Sequence, residues 1–501
     1  MSEFSGKWLY LVISNYRFPL PERMNKYPAS PAPNSRIHTG LLGGLVFFAS
    51  VLLFFSLYPT TPEKENPTPN VVLIMLDDGG FDDFSPFGNP PYPTPHVQML
   101  ADEGRSFYNF HVPQAVCSAS RAVLLTGCYP GRTGVVNAYG PQQAGLSKDF
   151  LTLGEVLQQK GYATGLFGKW HLGDLDGSRP GQRGFDESSG LLYSNDMWKY
   201  HPGDPEYWGQ WPLQYWENDE ILIDTMVPED QKMLTRWATE KAVDFIKRHQ
   251  DEPFFLYVPH SMPHVPIYCS AQFEGKSGVG LYGDVMMELD WSVGQINQAL
   301  KRHGLEQNTL LIFIGSDNGP WLSYGHHAGI TGYREGKATS FEGGLRNSCI
   351  IKYPGHIEPG SQSLKLINSV DLLPTICSVT EAELPGYEID GKNIWDLILD
   401  RPNAQNPNPY YAFSTGRRLE GVVSGDGKWK LHLPHHYRSL DKAGVDGQPG
   451  TYQNLRIDTS LFDLLHDPYE KGNVIDHYPE QKRKMVSWAK EHLAKFYPNQ
   501  E

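Results

Sequence analysis

The chain has 501 residues, 40% of them hydrophobic and 20% charged, which is enough apolar content for a large catalytic body with a smaller partner. Its formal net charge is −14 and no basic tract is long enough to follow a phosphate backbone, so nucleic acid is excluded as a partner. The five cysteines, at 117, 128, 269, 349 and 377, form no CxxC or CxxxC pair, which excludes a disulfide framework and a structural zinc site.

Residues 40–58, GLLGGLVFFASVLLFFSLY, carry no charge and are just long enough to cross a bilayer as a helix. Lys7, Arg17, Arg23, Lys26 and Arg36 precede them, and a Pro-rich linker (59–69) follows. The positive-inside rule then places residues 1–39 in the cytoplasm as a tail and the remainder beyond the membrane, periplasmic or extracellular. The alternative is a cleaved signal segment started from Met24, which would leave a secreted protein. The length of the apolar run and the lack of an A-x-A site favour an anchor. The sole N-x-[ST] triplet, Asn66-Pro67-Thr68, is blocked by its proline, which favours a bacterial envelope.

After the linker, NVVLIMLDDGG reads as a buried strand running into a loop, because six apolar residues in a row (71–76) suit a strand covered on both faces. Strand-like runs recur at 163–168, 253–258, 309–315 and 349–355. Between them lie helical patterns: TLGEVLQQKG closing on Gly161, TRWATEKAVDFIKRH, and GDVMMELDWSVGQINQALKRHG. This alternation predicts an α/β catalytic domain over 70–404, a large, mostly parallel central sheet flanked by helices. From 405 to 501 short strands, a GDGK turn and a terminal helix predict a smaller antiparallel sheet plus helix.

Open α/β sheets bind ligands beyond the C-terminal ends of their strands. Asp77 and Asp78 follow the first strand, and Lys169 and His171 follow the second. His260 and His264 follow the third, Asp317 and Asn318 the fourth, and Lys337 lies in the glycine-bracketed REGKATSFEGG. Any one of them has an ordinary reading as a cap, a satisfied polar group or a solvated charge; their convergence on one sheet edge argues for a site. Three carboxylates and the Asn318 carbonyl suit Ca²⁺ or Mg²⁺ rather than zinc. Arg121, Lys169 and Lys337 suit a tetrahedral oxyanion, and two histidines offer an acid and a base. The remaining requirement is a nucleophile, for which Cys117 in QAVCSASRAVLLTG is the candidate.

In order along the chain, LDDGG, CSASR…LLTG, GKWHLG, SDNG and GKATSFEGG resemble the formylglycine-dependent sulfatases of the alkaline phosphatase superfamily, especially the arylsulfatase A and N-acetylgalactosamine-6-sulfatase type. The resemblance implies a sulfuric ester hydrolase in which Cys117 is oxidised to formylglycine by a maturation enzyme. The aldehyde hydrate would attack sulfur with one hydroxyl and expel sulfate through the other. It further implies that Asp77, Asp78, Asp317, Asn318 and the modified Cys117 hold the cation. Arg121 and Lys169 would hold the formylglycine and ester oxygens, and His171 would take the second hydroxyl proton. His264 and Lys337 would serve the leaving group, and Ser194 in LLYSNDMW would contact substrate together with Lys169, His264 and Lys337. Asn195 stands where relatives often have histidine, and His260 matches less securely. The family motif is usually C-x-P-x-R; here the third position is Ala119, a departure at the point many maturation systems read.

Two rivals remain open on sequence: a phosphate or phosphonate monoester hydrolase of the same superfamily, and an inactive binding homologue. The insert carrying Trp198, Trp208, Trp211 and Trp216 reads equally as a platform for a sulfated glycan and as ordinary aromatic packing.

Overall fold

The first apolar run forms the middle of the main sheet. β1 (Asn70–Met75) is buried along its whole length, as expected for a strand with helices on both faces, where each fully buried Val, Leu or Ile contributes about 1.5–3 kcal/mol. The computed structural model describes residues 68–500. The segment 40–58 and the tail before it lie outside the described residues, and among those described no helix is long and apolar enough to cross a membrane.

Ten further strands complete the sheet: β2 (Arg105–His111), β3 (Ala163–Lys169), β4 (Glu187–Leu191), β5 (Tyr215–Glu217), β6 (Glu220–Ile223), β7 (Phe254–Pro259), β8 (Thr309–Ile314), β9 (Arg346–Lys352), β10 (Ser361–Ser363) and β11 (Ile367–Asn368). Their order is β10-β2-β9-β8-β1-β7-β3-β4-β5-β6, with β11 beside β2. β8, β1, β7, β3 and β4 are mutually parallel, so their C-terminal ends emerge on one edge. β9 is antiparallel to both β8 and β2. The physical reason is the connection: between Ile314 and Arg346 there is only a 3-10 segment and the four-residue helix Glu342–Leu345. A parallel return would need a crossover long enough to carry the chain back to the starting edge.

The flanking helices fall where their periodicity places them. Leu153–Gln159 opens on a capping box, with Thr152 Oγ accepting from Glu155 N at 3.1 Å and Glu155 Oε2 accepting from Thr152 N at 2.7 Å. Leu234–Arg248 and Leu281–Arg302 supply the long helices, the latter burying Leu289, Val293, Ile296 and Leu300.

The C-terminal region builds an antiparallel sheet in the order β12-β13-β14-β17 from β12 (Tyr410–Thr415), β13 (Arg418–Ser424), β14 (Trp429–His432) and β17 (Ser460–Asp463). The GDGK turn joins β13 to β14, with Gly427 at φ +75°. A separate hairpin pairs β15 (His435–Lys442) with β16 (Thr451–Ile457), and the helix Pro479–Phe496 follows. These elements share one compact unit, Asn66–Glu501, with the large sheet.

Candidate active site

The parallel strands deliver their polar residues to one buried point. Asp77, Asp78, Cys117, Arg121, Lys169, His171, Ser194, His264, Asp317, Asn318 and Lys337 are all buried, and Lys337 is the most open of them at 8% exposure. The way in therefore lies on the Lys337 side.

Three tight turns aim these side chains. Asp78, His171 and Ala338 all adopt left-handed backbone, with φ of 62°, 61° and 59°. Non-glycine residues in this region carry strain of about 1–3 kcal/mol each, which persists only where the surroundings impose it.

Cys117 is the first residue of the helix Cys117–Thr126, which ends on Gly127 at φ +66°. Its N-cap, Val116, has no side-chain oxygen to cap the first-turn N–H groups, so the positive end of the helix is left for a negative group placed at Cys117. Cys117 Sγ lies 3.5 Å from Asp77 Oδ1 and 3.3 Å from Lys337 Nζ. Burial, joined by the Asp77 charge, pushes the thiol above its ordinary pKa, so an unmodified Cys117 is a poor thiolate nucleophile.

Cations and carboxylates alternate around it. Lys337 Nζ donates to both Asp78 oxygens, at 2.7 and 2.8 Å. Lys169 Nζ donates to Asp77 Oδ2, and at 3.2 Å to Ser194 Oγ. Arg121 spans Asp317 Oδ2 (Nε, 2.9 Å), Asp77 Oδ2 (Nη2, 3.3 Å) and the Lys169 carbonyl (Nη1, 2.6 Å). Burial acts to raise the Asp77 pKa, but Lys169, His264, Arg121 and Lys337 together hold it well below the carboxylate range. Asp317 goes the other way: burial and the neighbouring Asp77 charge push it up to about 6.

The two histidines are held in defined tautomers by carbonyls, which can only accept. His171 Nε2 donates to the Tyr139 carbonyl at 2.8 Å, leaving Nδ1 as a buried lone pair with no partner. Tyr139 N in turn donates to Ser118 Oγ at 3.0 Å, tying that carbonyl to the residue after Cys117. His264 Nδ1 donates to the Val265 carbonyl at 2.6 Å, so Nε2 faces Ser194 Oγ at 3.3 Å and Asp78 Oδ2 at 3.5 Å. Burial and nearby cations lower both pKa values, favouring neutral rings.

Donor atoms of Asp77, Asp78, Cys117 and His264 lie within 4.8 Å of one another, a spacing able to hold a metal ion. Asp317 Oδ1 and Asn318 Oδ1 are buried without partners, and Asn318 Nδ2 donates to Asp78 Oδ1 at 2.6 Å.

Two residues considered on sequence go elsewhere. His260 is buried against the long helix, its Nε2 3.0 Å from Ser292 Oγ. Asn195 Nδ2 donates to Gln231 Oε1 and the Pro266 carbonyl. Of the aromatic insert, Trp198 is buried, while Trp208, Trp211 and Tyr207 cluster in partly exposed positions.

Three residues that no motif singled out belong to the surroundings. Asp196 is buried near His264 and faces His201 Nε2 at 3.4 Å; its place two residues after Ser194, beyond a strand end, was the available signal. Trp321, three residues past Asn318, packs edge-on to His264 with ring centres 5.7 Å apart. Arg438, from β15, donates to the Lys337 carbonyl and had no sequence signal.

A sulfatase family model matches residues 69–382. Arylsulfatase A of Bos taurus is 34% identical over 434 residues, covering 82% of this chain and 84% of that protein. N-acetylgalactosamine-6-sulfatase of Mus musculus is 33% identical over 467 residues, covering 86% and 87%. The solved structure of PsFucS1 sulfatase from Pseudoalteromonas sp. superposes with a TM-score of 0.78 at 25% identity, covering 87% of this chain and 93% of that one.

Proposed function

The chain belongs to the sulfatase family and is a sulfuric ester hydrolase, and from that premise we propose that it cleaves saccharide sulfates with a formylglycine made from Cys117 and a divalent cation. Asp77, Asp78, Asp317 and Asn318 would hold the cation beside the modified Cys117. The donor chemistry fits: hard oxygens predominate, two of them buried and unpartnered, and an Asp317 raised by crowding is a carboxylate that a cation would relieve. When bound, such an ion polarises the sulfate oxygens. Formylglycine supplies, as its hydrate, an oxygen nucleophile with a second hydroxyl from which sulfate can be released.

The chain's own groups then have separable tasks. Arg121 and Lys169 hold anionic oxygens in a site where every carboxylate is already engaged. His171 Nδ1, a lone pair fixed by the Tyr139 contact, takes the proton of the second hydroxyl. Lys337 Nζ, on the more open side, supplies a proton to the departing sugar oxygen, as does His264 from Nε2 once that nitrogen has taken up a proton beside Asp78; both groups orient the ester bridge. Ser194 links Lys169 to His264 and positions the ester between them.

Charge counting carries the choice of sulfate over phosphate. Arg121, Lys169 and Lys337 balance Asp77, Asp78 and Asp317. A divalent cation leaves about two positive charges, which an ionised nucleophile and a sulfate monoester, with one negative charge each, neutralise. A phosphate monoester dianion would leave a net negative charge buried, which is unfavourable. The saccharide assignment draws on the relative named N-acetylgalactosamine-6-sulfatase and on the partly exposed aromatic cluster Tyr207, Trp208 and Trp211. The proposed location is the outer side of a membrane, through residues 40–58.

Mass spectrometry of the Cys117 peptide, paired with sulfate release measured on the same preparation, tests this. Formylglycine content and turnover should rise together across preparations, and Cys117→Ala should abolish turnover. Robust sulfate release by the alanine variant would refute the mechanism.

A further inference from the structure

The open side of the site is walled by the C-terminal hairpin. Trp321 is half-buried and stands over the leaving-group residues: its ring lies 4.6 Å from Lys337 Nζ and 5.7 Å, centre to centre, from His264. Arg438 lies near the same ring, its guanidinium 5.8 Å from Trp321 and 4.6 Å from Tyr452. The hairpin fixes this wall through the backbone. Gly444 N and Gly450 N both donate to the Ser323 carbonyl at 2.8 Å, and Ser323 N donates to Tyr452 Oη at 3.1 Å.

Arg438 is electrostatically unusual. Its Nε and Nη2 donate to the Lys337 carbonyl at 3.0 and 2.6 Å. Among the described residues it has no carboxylate within ion-pair distance, although it is half-buried and next to a site crowded with charged groups. A guanidinium placed between two aromatic faces, with one nitrogen uncommitted and no counter-ion, is a receptor for a planar or tetrahedral anion. An aromatic face beside the leaving-group pair is a surface for the apolar side of a pyranose.

We infer that Trp321 and Arg438 form a subsite for the leaving sugar, with the ring stacked on Trp321 and an anionic substituent of the saccharide, carboxylate or second sulfate, bound by Arg438. This rests on the saccharide-sulfatase reading and sharpens it: the preferred substrates are polyanionic saccharides, and a small aryl sulfate reaches only the inner site. The geometry explains why the contact would favour leaving-group chemistry. The arginine that binds the anion also holds the Lys337 carbonyl, so occupancy of the subsite and placement of Lys337 share one residue.

The test compares 4-nitrophenyl sulfate, monosulfated uronate-containing disaccharides, their carboxyl-reduced counterparts, and reduced disaccharides carrying a second sulfate. Wild-type kcat/KM should be about 10- to 100-fold higher for the anionic disaccharides than for the neutral ones, the range of one charge-assisted contact. The advantage should shrink as salt is raised. Arg438→Gln, which keeps an amide donor for the Lys337 carbonyl but removes the charge, should lose that advantage while its nitrophenyl sulfate rate changes at most a few-fold. Arg438→Lys should recover part of it. Loss of the advantage with only one of the two anions would assign the subsite to carboxylate or to sulfate. Equal losses on all substrates would overturn the inference, making Arg438 a support for Lys337 alone. Nitrophenyl sulfate turnover by the wild type independently reports on the sulfatase reading. Calorimetric binding of the uronate disaccharide to Cys117→Ala protein reads the subsite without turnover. There Arg438→Gln should weaken binding by the same factor, and unchanged binding would overturn the proposal.

Discussion

Asp317→Asn should stabilise the metal-free protein and at the same time remove its response to calcium. In the structure Asp317 gives one oxygen to Arg121 at 2.9 Å and leaves the other buried without a partner. Burial and the adjacent Asp77 raise its pKa from 3.8 to about 6. A folded pKa above the unfolded one means stability that is present at pH below 3.8 and lost as pH rises through 6. At pH 7.5 the shift of about 2 units corresponds to about 3 kcal/mol withheld from the metal-free fold. A neutral, isosteric asparagine does not carry that burden. With about 430 folded residues and an unfolding entropy of about 2.1 cal/mol/K per residue, 3 kcal/mol is a rise in melting temperature of about 3 °C. Calcium should reverse the order: a site loaded at about 1,000 times its Kd adds about 4 kcal/mol to the wild type, and the variant gains little. The assay is scanning calorimetry of EDTA-treated and desalted protein at pH 7.5, with and without millimolar Ca²⁺, and at pH 4 without it. A variant that melts below the wild type without metal at pH 7.5, or that shows the same calcium-induced rise, would refute the reasoning.

His264→Ala should lower turnover of sugar sulfates by about 10²- to 10⁴-fold but that of 4-nitrophenyl sulfate by less than about tenfold, because a general acid matters most for the most basic leaving oxygen; equal losses in steady-state assays would make His264 a binding residue only. Ala119→Pro should raise formylglycine content and activity in parallel in a host whose maturation enzyme reads proline, as measured by peptide mass spectrometry. The fold should accept it, because the first backbone bond of the helix runs from Ser120 N to Val116 O, so position 119 precedes the hydrogen-bond ladder; a drop in melting temperature of more than a few degrees would contradict that.

What the sequence could deliver was governed by distance along the chain. β1, β7 and β8 were legible because each is built on a near-continuous apolar run, and β3 because Leu166 and Phe167 sit among small residues; the polar residues at the ends of these strands were legible as a site because parallel strands share an edge. β2, whose RSFYNFH alternates charged, polar and aromatic residues, gave no comparable signal, yet it carries His111 to the buried Glu342. The antiparallel course of β9 was hidden because it depends on the missing crossover helix after β8, a property of the connection and not of the strand. His260 shows the converse: a strand-end histidine with the right local setting is turned away by a partner on the long helix, Ser292.

The C-terminal part of the site was the least legible, and the reason is electrostatic. Lys430 in the strand WKLH reads as a solvated charge, since lysine is almost never fully buried unless paired. It is fully buried, 2.9 Å from Glu342 and 3.0 Å from Glu470, with His432 Nε2 2.8 Å from the same Glu470 oxygen. Glu342 also engages His111 and Arg346, and its N–H donates to Glu470 Oε2 at 2.6 Å. Apart from the local Glu342–Arg346 pair, the partners are separated by tens to hundreds of residues, so no local pattern encodes the network. Breaking one member would strand the others as unpaired buried charges, a loss of about 3–5 kcal/mol. Glu342 lies five residues after Lys337, and Arg438 holds the Lys337 carbonyl from the neighbouring hairpin. The loop that presents Lys337 is thus fixed from two sides by the antiparallel region. That region differs from the large sheet in strand type and lies outside the family's motifs, but the leaving-group side of the site is built against it.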